Sequence, residues 1–200
     1  MSEQEVPRQR AGDMRQAAAP FLILGIGNEL LGDDGAGVVA ARHLASCAIP
    51  GVEVADGGTL GLMLMPYIAG REAVLVLDAV SQAGGEPGQV VVLGDGEVRS
   101  GHGVRVTAHE IGLVDALSAA RLAGCSPARV GLVGVVPASI TERWGLSPVV
   151  AASIGAMVAA AHGVLTSWGV KLPRGILADR SAGGPRGVPA SGGAEVPGRA

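Results

Sequence analysis

The order of apolar runs, glycine turns and helix-like stretches predicts an α/β fold. It is a three-layer structure, with a twisted, mainly parallel five-stranded sheet and helices on both faces. Three observations carry this. Strand-like and helix-like segments alternate along residues 21–169. The chain is 48% hydrophobic but only 2% aromatic, so its core must be aliphatic. Residues 73–77, Ala-Val-Leu-Val-Leu, form a short all-apolar run, the pattern of a central strand covered on both sides.

The elements follow in order. Residues 21–26 read as the first strand, ending in the glycine turn Gly25-Ile26-Gly27-Asn28. A helix is expected over about 35–47, with Asp33 or Asp34 as its cap. Residues 51–55 read as strand two and Asp56-Gly57-Gly58 as a turn. Thr59 then caps a helix to about 69, with Leu60, Leu64 and Ile68 on one face. Strand three is 73–77 and strand four 89–93. Thr107 and Glu110 match a capping box before a helix over about 108–123. Strand five is 129–136, and Ser147-Pro148 opens a long Ala-rich helix to about 168. No internal repeat is visible. Residues 1–20 read as a flexible N-terminal arm and 170–200 as a disordered Gly/Pro-rich tail, leaving 21–169 as the working domain.

Composition narrows the function. Net charge is −3 with both signs interspersed, which predicts no nucleic-acid or membrane partner. No apolar run is read as reaching membrane-spanning length, and the N-terminus carries acids and lacks an apolar segment, so the expectation is a cytoplasmic protein. Nothing demands a partner copy, and a monomer is expected. Cys47 and Cys125 are isolated, without a C-x-x-C pair, and are expected to be small buried hydrophobes rather than zinc ligands. Trp144 and Trp168 are expected to pack, and Arg42 and Arg71 to be solvated. His43, His102 and His162 are expected to be structural or exposed.

The chemistry-bearing residues converge on one edge. Asp34 follows strand one, Asp56 follows strand two and Asp78 closes strand three, so parallel strands bring all three to the carboxyl edge of the sheet, where α/β folds bind ligands. His109 falls in the first turn of a later helix, at the position the capping box makes N2. There the helix dipole disfavours the imidazolium and leaves the neutral ring that a metal ligand requires. Two carboxylates and an imidazole suit a borderline divalent ion such as nickel, zinc or iron. A dinucleotide site is disfavoured. Leu30 stands where the third glycine of G-x-G-x-x-G belongs, and Asp33 and Asp34 put negative charge where a pyrophosphate would sit. Structural roles compete throughout: Asp33 and Asp34 as helix caps, Asp56 as a turn residue. A carboxylate ending a strand as apolar as 73–77 is the hardest to explain that way.

Residues 25–37, Gly-Ile-Gly-Asn-Glu-Leu-Leu-Gly-Asp-Asp-Gly-Ala-Gly, resemble the opening motif of the maturation endopeptidases of nickel–iron hydrogenases, G-x-G-N, then L, then D-[DE]-G-x-G. Asp56-Gly57-Gly58-Thr59, Leu77-Asp78-Ala79, His109-Glu110-Ile111-Gly112-Leu113 and Val133-Gly134-Val135-Val136-Pro137 match the later motifs in order. The resemblance covers about 21–168. It implies an endopeptidase that removes the C-terminal extension of a nickel-loaded large-subunit precursor. It also implies that the enzyme holds no tightly bound cofactor and engages nickel through the substrate. The implied ligands are Asp34, Asp78 and His109; relatives often carry Glu at the first of these. Asp56 is implied in cleavage or site geometry. Gly25, Gly27, Asn28 and Gly35 shape the turn. Thr107-Ala108 stands where relatives often have Ser-Pro. The attacking group is left open: the metal polarises the scissile carbonyl or activates water, or an acid such as Asp56 or Asp34 acts as base. Two other readings compete, a metallohydrolase with its own metal and a non-cleaving chaperone that senses metal in the immature subunit.

Overall fold

The computed structural model describes residues 19–100, 105–106 and 109–173, with backbone alone for 105, 106 and 109–111. His102, the Thr107 cap, nearly all of the expected arm and the tail beyond residue 173 lie outside the described residues.

The strands are β1 (Phe21–Ile26), β2 (Val52–Gly58), β3 (Ala73–Ser81), β4 (Val90–Leu93), β5 (Arg105–Val106) and β6 (Arg129–Val135). The helices are α1 (Ala36–Ala45), α2 (Met65–Ile68), α3 (Asp95–Ser100), α4 (His109–Leu122) and α5 (Pro148–Ser167). The five expected strands form one path in the order β2-β1-β3-β6-β4. Pairings β1–β2, β1–β3 and β3–β6 are parallel, and β4 runs antiparallel to β6. The short β5, unforeseen from sequence, pairs antiparallel with the end of β3.

Strand alternation divides the core in two. Leu22, Leu24, Val74, Val76 and Val80 pack with Leu64, Ile68, Leu113 and Leu117 on the α4 face. Ile23, Leu75, Leu77 and Val133 pack with Ala40, Leu44, Ile154, Met157 and Leu165 on the α1 and α5 face. Cys125 and Cys47 are half-buried rather than fully buried, one against each core. Val170, placed by the sequence in the tail, is buried in the second core.

Several expectations are corrected. Neither Asp33 nor Asp34 caps α1. They form a 3-10 turn, Asp33–Gly35, and Gly35 precedes the helix without a side-chain cap, because both carboxylates are bonded elsewhere. Asp56-Gly57-Gly58 is not a turn but the end of β2. Pairing with β1 continues through a register shift, with Gly25 opposite Asp56 and Ile26 opposite Gly58. Thr59 caps no helix. Gly61 has φ +53, which breaks the regular helix into a 3-10 turn (Gly61–Leu64) and the short α2, and leaves Leu60 exposed. Arg71 is buried, not solvated. It donates to the Tyr67 and Ala19 carbonyls and pairs with Glu53 at 2.7 Å. The long α5 is, with a mean hydropathy of 1.8, apolar and long enough by composition to cross a membrane, contrary to the reading of the sequence. In the structure it is a core helix, capped as expected by Ser147, with Ile154, Met157 and Leu165 against the sheet.

Candidate active site

The glycines of the first motif bring α1 down onto the strand ends. A Cβ on Gly37 would lie 2.1 Å from the Leu77 carbonyl oxygen and 2.4 Å from that of Ile26, so only glycine lets this helix start seat on β1 and β3. A Cβ on Gly25 would meet Ala41 at 2.7 Å, and one on Gly35 would meet the Glu29 backbone at 2.8 Å. Gly27, at φ +130, lies so close to the Asp34 carbonyl that a Cβ there would be 1.8 Å from its oxygen. The turn therefore folds back on itself and fixes Asp34 at the end of β1.

Asp34 and Asp78 are both only 1% exposed. The Asn28 amide donates to Asp34 Oδ2 at 2.9 Å, and the Ala79 amide donates to Asp78 Oδ1 at 2.7 Å. Asn28 also closes its own turn, accepting from the Leu30 amide through Oδ1 at 3.0 Å. Asp78 does not close β3 but sits inside it, opposite Gly134. It shares parity with Val74, Val76 and Val80, which puts it on the α4 face. His109 is the first residue of α4, on that same face; its side chain lies outside the described residues. The start of α4 is held by a glycine contact, since a Cβ on Gly112 would stand 2.3 Å from Gly61 Cα. The loop after β2 and the first turn of α4 are thereby locked together.

Asp56 lies apart from these. Its side chain is 53% exposed, and its strand parity matches Val52 and Val54, which pack on the α1 face. Its Oδ1 accepts from the Gly58 amide at 3.0 Å, and Arg42 of α1 stands 3.6 Å from its Oδ2. Arg42 is not simply solvated. It forks onto Glu29, donating to Oε1 at 2.7 Å and also bonding Oε2, and these acids raise its pKa above the usual guanidinium range, Glu29 foremost. Asp56 shares the wall of an open cavity of about 440 Å³ with Gly27, Asn28, Glu29, Leu30, Val38, Gly58, Thr59 and Trp144.

Asp33 has a different task. Its Oδ1 accepts from the Ser147 amide at 2.6 Å. Its Oδ2 accepts from Ser147 Oγ at 2.8 Å and from the Ala138 and Ser139 amides at 2.9 and 3.2 Å. Burial alone would raise this carboxyl, but the bonds from Ser147, Ala138 and Ser139 outweigh it and hold the group below its usual range. Asp33 is a clamp between the site and the start of α5.

The profile of the hydrogenase maturation protease family matches residues 38–164. The hydrogenase 2 maturation protease of Escherichia coli is 36% identical over 162 residues, 80% of this chain and 99% of that protein. The hydrogenase expression/formation protein HupD of Rhodobacter capsulatus is 37% identical over 77% of this chain and 75% of its own. The chain belongs to the hydrogenase maturation protease family. The fold agrees. The hydrogenase maturating endopeptidase HybD of E. coli superposes with a TM-score of 0.71 at 36% identity, covering 77% of this chain and 97% of its own. The [NiFe] hydrogenase maturation protease HybD of Thermococcus kodakarensis gives 0.62 at 30% identity, covering 72% and 97%. This chain is accordingly an endopeptidase of hydrogenase maturation.

In this chain Asp34, after β1, and Asp78, in β3, are both buried toward the carboxyl edge of the sheet, with α4 opening at His109 on the Asp78 face. Among the described residues no three His, Cys, Asp or Glu side chains form a metal-ligand group, and the His109 side chain is not among them. The sequence reading expected Arg42 to be solvated and did not foresee its link to Glu29, which spans 13 residues, and it expected Trp144 to pack, whereas it is 74% exposed. Its place in a segment dense in Ser, Thr and Gly was the available sign of a surface position.

Proposed function

We propose that this protease removes the C-terminal extension of a [NiFe] hydrogenase large-subunit precursor, and that it recognises nickel already seated in that precursor through Asp34, Asp78 and His109. The observation that carries the reading is the burial of two carboxylates, Asp34 and Asp78, at the carboxyl edge of a parallel sheet, with α4 beginning at His109 on the Asp78 face. Burying carboxylates is costly unless bonds or a cation repay it. Two carboxylates and an imidazole form an oxygen and nitrogen donor set that suits a borderline divalent ion such as nickel. In this reading nickel belongs to the substrate, the enzyme has no tightly bound cofactor of its own, and it works as a cytoplasmic monomer.

Asp56 supports a role in the cleavage step. It is exposed on the cavity wall, where a peptide and water reach it, as a general base must be, with Arg42 3.6 Å away. The test is intact-mass analysis of nickel-loaded and nickel-free precursor after incubation with the enzyme. The expected result is loss of a C-terminal peptide from the loaded precursor alone. Equal cleavage of both would overturn the metal check, and binding without cleavage would favour a chaperone.

A further inference from the structure

Two loops are sewn together at the mouth of the site. Leu31 bridges to Arg143 and Gly32 to Ile140. The Gly32 amide donates to the Arg143 carbonyl at 2.8 Å, and the Arg143 amide donates to the Leu30 carbonyl at 3.0 Å. Asp33 ties the same 138–147 segment from beneath. This pinned backbone presents apolar side chains to solvent: Leu30, Ile140 and Trp144 are 62%, 42% and 74% exposed. Holding large apolar groups in water on a fixed frame gives the folded chain nothing by itself. It does pre-pay the ordering entropy of a binding surface.

We infer that the cavity between Trp144, Leu30 and the 56–59 corner seats an apolar side chain of the precursor's extended peptide, next to the bond that is cut. This rests on the function proposed above. Three features select that occupant. The cavity borders the acid edge through Asn28, whose amide holds Asp34, and through Asp56, which places it beside a chain cleaved there. Its volume of about 440 Å³ suits a short stretch of chain rather than a folded surface. Gly58 on its wall carries no side chain, and the place of one meets nothing closer than Asp56 Oδ1 at 3.7 Å, so a peptide backbone can approach it closely.

The test uses the full-length enzyme and the nickel-loaded precursor. Trp144→Ala raises KM roughly tenfold or more, as expected when an aromatic anchor is truncated, with kcat nearly unchanged. Trp144→Phe restores most of the loss, and Leu122→Ser, on the exposed end of α4, leaves KM unchanged. In a Trp168→Phe background the remaining Trp144 emission moves to shorter wavelength when precursor is added, and not when the shortened mature subunit is added. Cleavage by the wild type with an unchanged KM in Trp144→Ala overturns the seat alone. A shift in emission that depends on enzyme concentration without precursor assigns the surface to a second copy and also overturns it. Absence of any cleavage by the wild type overturns the underlying function, and the seat with it.

Discussion

The two faces of the sheet's carboxyl edge treat their acids in opposite ways. On the α1 face Asp56 is half in water, bonded to its own Gly58 amide and flanked by Arg42. On the α4 face Asp78 is sealed within the most buried strand of the sheet, with Asp34 equally buried at the neighbouring strand end. An exposed acid exchanges protons with water and meets a peptide freely. A buried acid is held in a fixed place at a solvation cost, which suits it to a cation that arrives with its own charge. Under the proposed function this would separate recognition from proton transfer, on two strands well apart in sequence, Asp56 in β2 and Asp78 in β3, and on opposite faces of the sheet.

The sharpest way to break this division is Asp78→Asn, which keeps the shape and removes the charge. Processing of nickel-loaded precursor is expected to fall by more than about a hundredfold, beyond the 10–100-fold that changes behind a metal ligand cost. Thermal unfolding alongside the cleavage assay separates this from misfolding. Gly37→Ala tests the frame that holds both acids. Its Cβ would strike two backbone carbonyls that cannot swing away, so a loss of about 3 kcal/mol or more is expected in denaturant unfolding.

Asp33→Asn is expected to cost about 1–3 kcal/mol, since it weakens bonds to Ser147, Ala138 and Ser139. Its pH dependence has a definite sign. The folded Asp33 carboxyl lies below its ordinary value of 3.8, so its contribution is present above that value and is lost as pH falls through the folded pKa. Urea titrations below pH 5 should show the wild type losing its advantage over Asp33→Asn as acid is added. Arg42→Ala should be the mildest change to the fold, under about 1 kcal/mol for so exposed a pair, while slowing cleavage severalfold through Asp56. If Arg42→Ala slowed cleavage as much as Asp78→Asn, the separation of tasks would be wrong.

The sheet was legible because its strands are aliphatic runs bounded by glycine, and α5 because Ser147-Pro148 is a local signal. The carboxyl-edge placement of Asp34, Asp56 and Asp78 also follows from strand order alone. What escaped the sequence depends on distance or on backbone geometry. The partners of Asp33 lie 105 to 114 residues away, three of those bonds coming from backbone amides that leave no mark in residue type. The break at Gly61 reflects a left-handed φ, which the Leu-rich pattern of 60–68 conceals. The split of Asp56 from Asp78 onto opposite faces follows from strand parity, and became visible once β2 was seen to run through Asp56 rather than end before it.

The most direct measurement is a binding cycle: the affinities of wild type and Asp78→Asn for nickel-loaded and nickel-free precursor, by calorimetry. Wild type is predicted to favour the loaded precursor by at least about tenfold, or about 1.4 kcal/mol, and Asp78→Asn to show no preference. The same preference in both proteins would contradict recognition of nickel through Asp78.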